Sequence, residues 1–101
     1  MTQQRKHTRI DFQSEVTLLL KTQQQTGLTI NISQGGALIQ TSPSPGFGEK
    51  LTMEIQLPKI HETCKIPCIV RWLRDNNVGV QFETLRAIEV WSINQLTNPA
   101  N

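Results

Sequence analysis

Gly27-Leu28-Thr29-Ile30-Asn31-Ile32-Ser33-Gln34-Gly35-Gly36 is the stretch on which the reading of this chain turns. Leu28, Ile30 and Ile32 alternate with Gly27, Thr29 and Asn31, the period-two pattern of a strand with one face in a core. In extended backbone Asn31 and Ser33 share a face, and Ile30 and Ile32 share the other. Gly35 and Gly36 then permit positive φ, or close approach by another group. A turn needs one such glycine. Two in succession, after two hydrogen-bonding side chains, point to a surface that receives a polar ligand. The plainer alternative is a hairpin corner in which Asn31 and Ser33 bond their own backbone.

On either side of this corner the chain keeps the same grammar. Residues 15–20 form a first strand, with Val16, Leu18 and Leu20 on one face, and residues 22–26 a polar turn. A short third strand covers 37–40, and the prolines and glycines of 41–48 make an irregular loop. Residues 50–57 alternate most clearly: Leu51, Met53, Ile55 and Leu57 against Thr52, Glu54 and Gln56. Pro58 ends that run, and 59–63 connect it to a strand at 65–73. There Ile66, Cys68, Val70 and Trp72 share a face, so Trp72 reads first as core packing. Pro67 marks the start of this strand as an edge or a bulge. Asp75-Asn76-Asn77 turns the chain into a last strand at 78–82. From Thr84, a plausible N-cap, to residue 95 the period becomes helical, with Leu85, Ile88, Trp91 and Leu96 on the packed face. About six short strands and one helix predict an all-β antiparallel barrel or sandwich closed by a C-terminal helix.

At 101 residues, 37% hydrophobic and 18% charged, the chain is expected to be one globular domain spanning 1–101. No apolar run approaches the roughly 20 residues of a membrane helix. The N-terminal charges have no apolar segment behind them, which argues against a secretory signal and for a cytoplasmic protein. The net charge of +2 is small for a nucleic-acid binder. Cys64 and Cys68 would stand about 13 Å apart on an extended strand, too far for a disulfide and without partners for zinc. Both are read as reduced, Cys68 as a small core residue. His61 reads as a loop residue, and His7 lies among basic neighbours.

Those neighbours are Arg5-Lys6-His7-Thr8-Arg9, all the cations that precede the first acid, Asp11. Arg-x-x-x-Arg, followed downstream by Asn-x-Ser-x-x-Gly at Asn31, Ser33 and Gly36, resembles the paired signature of PilZ domains. The similarity continues through the strand spacing, Val70-Arg71-Trp72 and Gly79-Val80-Gln81-Phe82. The resemblance implies a six-stranded antiparallel β-barrel with a C-terminal α-helix, and a flexible arm at 1–9 passing close to the corner at 31–36. It also implies a receptor for the bacterial second messenger cyclic di-GMP, with no cofactor and no catalytic residues. Such a sensor or adaptor would act on a partner protein, with motility, biofilm formation or secretion as the output, and as a monomer or weak dimer.

The residue types suit that ligand. Cyclic di-GMP has two guanines and two phosphates. A guanidinium pairs with phosphate in a fork, stacks on flat rings and bonds guanine O6 and N7 together; lysine does only the first part. Arg5 and Arg9 would therefore grip phosphates and a guanine. Asn31 and Ser33 would offer an amide and a hydroxyl to guanine edges. Gly36, with Gly35, would keep the backbone low beneath the ligand. Lys6 would add charge. Trp72, near its strand's end, is a candidate contact because an aromatic at the similar place in some PilZ domains lines the ligand. Gln4 departs from the pattern, since relatives often carry another basic residue just before the first arginine. The alternative is a PilZ-like interaction module that has lost nucleotide binding. A barrel that binds RNA or DNA polymers is disfavoured by an aromatic content of 5%. No acid–base pair, nucleophile or metal cluster suggests an enzyme.

Overall fold

In the computed structural model, which describes residues 9–97, the alternating runs become six strands: β1 (Ile10–Leu19), β2 (Gln24–Ile32), β3 (Gly36–Gln40), β4 (Lys50–Ile55), β5 (Cys64–Arg74) and β6 (Asn77–Phe82). A single helix, α1 (Ala87–Thr97), follows. The strands close as an antiparallel barrel in the order β1-β2-β3-β6-β5-β4, with β4 returning to β1 through Thr17–Glu54, Leu18–Met53 and Leu19–Thr52. Closure as a barrel, which the pattern alone left open against a sandwich, leaves no continuous free edge. Pro67 sits where β6 runs out, and its carbonyl is still paired, accepting from Glu83 N at 2.8 Å. It pairs with Thr52 on one side, while β6 ends at Phe82 opposite Cys68 on the other.

The core fills from alternate positions, as the sequence predicts for β4: Leu51, Met53 and Ile55 are buried. Val16, Leu18, Ile39, Ile66, Val70, Val78 and Val80 join them from the other strands. Several strands run beyond their hydrophobic alternation. β1 starts at Ile10 rather than at 15, and β2 at Gln24 rather than at 27. Ladder hydrogen bonds are made by backbone, so a polar strand end pairs without showing a pattern.

Three register shifts interrupt the ladders, and those in β2 and β5 overturn predicted faces. One lies between Asp11 and Ser14 in β1, one between Thr29 and Asn31 in β2, and one between Val70 and Trp72 in β5. An extra residue in one strand turns every later side chain to the other face. In β2, Ile32 is fully buried but Leu28 and Ile30 are only half-buried, and Thr29 takes the inward place. The Thr29 hydroxyl donates to Phe12 O at 2.7 Å, a carbonyl inside the β1 irregularity. In β5, Ile66, Cys68 and Val70 are buried as predicted, whereas Trp72 is 45% exposed. Trp72 is therefore not core.

The helix also turns a different face. The predicted contacts Ile88 and Trp91 are exposed, and Glu89, Ser92 and Ile93 are buried in their place. Polar bonds set this orientation. Arg86 N–H donates to Glu89 Oε1 at 2.8 Å, and its guanidinium pairs with Oε2 at 3.0 Å. This is the backward reach of a capping-box glutamate, and it puts the N-cap at Arg86 rather than Thr84. The Ser92 hydroxyl donates to Pro58 O at 2.6 Å, tying the helix to the loop after β4. Hydropathy spacing does not see such bonds.

Candidate functional site

β1 begins beside the corner. Ile10 pairs with Ile32 and Asp11 with Asn31, so Arg9, one residue ahead of β1, lies next to the segment that follows Ile32. The Arg9 Nη1 donates to Asn31 Oδ1 at 3.4 Å, with Arg9 exposed and Asn31 half-buried. The arm and the corner, far apart in sequence, thus meet through the second arginine of one motif and the asparagine of the other. Arg5 and Lys6 lie outside the described residues.

Ser33 and Gly36 are placed differently from expectation. Ser33 is 4% exposed. Its Oγ accepts from the amides of Gly35 (3.1 Å) and Gly36 (3.3 Å) and donates to Gly36 O (3.4 Å), and its own N–H donates to Gly36 O at 2.8 Å. The hydroxyl thus holds the turn together. A Cβ on Gly36 would overlap the Val80 carbonyl oxygen, because β3 crosses β6 closely here. Gly36 is bare for the neighbouring strand. Neither Gly35 nor Gly36 has positive φ. The Gly35 carbonyl accepts from Phe82 N at 2.9 Å, so it too is built into the barrel. Ser33 and the glycines thus make the bonds of a self-bonded corner, while Asn31 faces outward towards Arg9.

The ladder carries the site onward from Asn31. Asn31 stands opposite Leu38, Leu38 opposite Gly79, and Gly79 opposite Trp72. All four escape full burial. Three strand steps make this row about 14 Å long along the barrel surface. Gly79 has a specific task in it. A Cβ there would stand 3.1 Å from Trp72 Cβ and 3.4 Å from Cε3, so the indole lies over bare backbone. The result is an outward shelf with a cation and an amide at one end and a flat aromatic at the other. Beside the shelf, Gly36 pairs with Gln81, whose Oε1 accepts from Arg71 Nε at 3.0 Å.

Sequence reasoning missed Gln34, Leu38, Gly79 and Gln81. Gln34 reaches from the corner to α1, where its Nε2 donates to Val90 O (3.1 Å) and Asn94 Oδ1 (3.2 Å). A polar residue inside the corner motif was a visible hint; the partner 56 residues away was not. Gly79 opposite an aromatic could have been found only with the register known.

The remaining reactive groups are quiet. Burial pushes the Cys68 thiol up to about 12. Burial, then the charge of Glu89, raises that of Cys64. Both stay protonated at neutral pH, and neither forms a disulfide. Among the described residues no group of three or more His, Cys, Asp or Glu is placed to hold a metal ion, and no helix is long and apolar enough to cross a membrane.

A family model for the PilZ domain matches residues 3–98. No curated protein matches the chain. Solved structures share its fold. The Bacillus subtilis inhibitor of motility MotI/DgrA aligns at 23% identity and TM-score 0.75 over 93% of this chain and 49% of its own. The Borreliella burgdorferi PlzA protein in complex with c-di-GMP aligns at 17% identity and TM-score 0.77, over 94% of this chain and 41% of that one. The PilZ domain of YcgR from Escherichia coli, solved with c-di-GMP, aligns at 13% identity and TM-score 0.73, over 97% and 95%. The chain thus spans about half the length of MotI/DgrA and less of PlzA.

Proposed function

This chain belongs to the PilZ domain family, and from that premise we propose that it binds cyclic di-GMP and passes the binding event to a partner protein. The observation that carries the reading is the Arg9–Asn31 bond, which joins the two motif segments at one surface. A guanidinium and an amide side by side offer a phosphate fork and guanine-edge donors within reach of one ligand. Two of the related structures, PlzA and the YcgR domain, were solved with that nucleotide. Arg5, four residues earlier in the sequence, supplies the other guanidinium of the motif. Trp72 gives a base a plane to stack on. Ser33 and Gly36 belong to the site as the parts that shape the corner.

Output follows from ordering. An arm that closes over its ligand is ordered by it, and the free energy of that step biases whatever surface the arm and corner share. Gln34 bonds that corner to α1, whose outward side carries Ile88, Val90 and Trp91. A partner that reads this helix, or the arm, would sense the ligand. Motility, biofilm formation and secretion are the outputs in view, and MotI/DgrA is itself named an inhibitor of motility.

Calorimetric titration tests the reading. Wild type is expected to bind cyclic di-GMP, and Arg9→Ala and Asn31→Ala to bind at least roughly tenfold more weakly, the worth of a charge-assisted bond. Absence of heat with wild type, in a sample that melts cooperatively, would return the chain to a docking module without nucleotide.

A further inference from the structure

The β5 bulge does more than expose Trp72. Where two residues of one strand oppose one of the next, both side chains can leave on the same side. Here Arg71 and Trp72 are both exposed beside Gly79 and Gln81. Arg71 is held rather than loose: its Nε donates to Gln81 Oε1 at 3.0 Å. Gln81 stands opposite Gly36, the last residue of the corner motif. The bond to a neutral amide uses the Nε–H and leaves the terminal N–H groups as further donors. Among the described residues the ion pairs engage Lys50, Lys65 and Arg86, and Arg71 meets no carboxylate. A fixed, uncompensated guanidinium next to an exposed indole pairs a charge with a plane.

We propose that Arg71 is a second anion clasp of the same site and takes a phosphodiester of the ligand, with Trp72 beside it stacking a base. The inference rests on the cyclic di-GMP reading and extends it. The ligand carries its guanine and its phosphate twice, and the shelf carries a guanidinium at each end. Arg9 with Asn31 lies at one end, Arg71 with Trp72 at the other, about 14 Å apart by strand spacing. Gln81 is the positioning residue that aims Arg71 over the corner.

The test is a titration series with cyclic di-GMP on wild type, Arg71→Gln, Arg71→Lys and Arg74→Gln, each checked by thermal melting. Both substituted sites are exposed, so the three variants are expected to fold. Arg71→Gln should weaken binding roughly tenfold or more, as loss of a hydrogen bond to a charged group does. Arg71→Lys should recover part of this, because charge returns without the fork. Arg74→Gln, equally charged but at the hairpin end, should stay within about twofold of wild type, a loss too small for a broken charged bond. Unchanged affinity in Arg71→Gln, or an equal loss in Arg74→Gln, overturns the clasp and leaves the cyclic di-GMP reading standing. Failure of wild type to bind removes both.

Discussion

Gly36 lacks a side chain because β6 passes where one would stand, and Ser33 is a serine because two amides of the turn need an acceptor. Asn31, in the same motif, makes one long bond to an exposed arginine. Substitutions should separate these roles. Gly36→Ala is expected to cost about 3 kcal/mol or more in urea unfolding, since backbone rather than a flexible side chain must move. Asn31→Ala should cost no more than about 1 kcal/mol. Loss of ligand in Gly36→Ala would then report a damaged barrel, and loss in Asn31→Ala a lost contact. Cys68 makes a different prediction. Its pKa, 9.0 as an ordinary thiol, is pushed up to about 12 in the folded chain. The stability tied to the protonated thiol is complete below about pH 9 and drains away as pH rises towards 12. One thiol changes the slope by at most about 1.4 kcal/mol per pH unit. Urea midpoints of wild type and Cys68→Ala, compared between pH 8 and pH 11, should converge with rising pH; parallel curves would contradict the burial argument.

At the scale of elements, existence was easier to read than orientation. Each strand run shows itself through alternation, because a half-buried strand must alternate. Which way its end faces depends on bulges, and nothing local announced the extra residue at Arg71 or near Ile30. Alternation alone groups Trp72 with Ile66, Cys68 and Val70 as core, yet it stands outside the core. The helix failed in the same way for a different cause. Leu85 and Leu96 pack against the core as their spacing predicts, but Ile88 and Trp91 do not: capping by Glu89 and the Ser92–Pro58 bond turn Ile93 inward. Stability measurements decide between the faces. Ile93→Ala should cost about 2–5 kcal/mol, and Trp91→Ser less than about 1 kcal/mol. The reverse order would restore the face that hydropathy alone suggests.

At the scale of the whole molecule, the candidate site is assembled by five strands pairing in one order. β1 must run antiparallel to β2 with Ile10 at Ile32 before Arg9 can meet Asn31, and β3, β6 and β5 must follow in order before Trp72 joins the same surface. A ligand bound across four strands and the arm stabilises the folded state alone. At a hundredfold excess over Kd, cyclic di-GMP should add about 2.7 kcal/mol. In a domain of this size that raises Tm by on the order of 10 °C, readable by differential scanning fluorimetry or calorimetry. A melt that does not move with ligand would separate this chain from the proposed activity. The sequence by itself determined the number of strands, the closing helix, the reduced cysteines and the two motif segments, since periodicity and residue chemistry are local. Only the tertiary structure decided that Ser33 and Gly36 serve the turn, that Trp72 faces outward beside Arg71, and that Gln34 grips the helix. Those facts depend on register between distant strands, where a slip of one residue exchanges inside for outside.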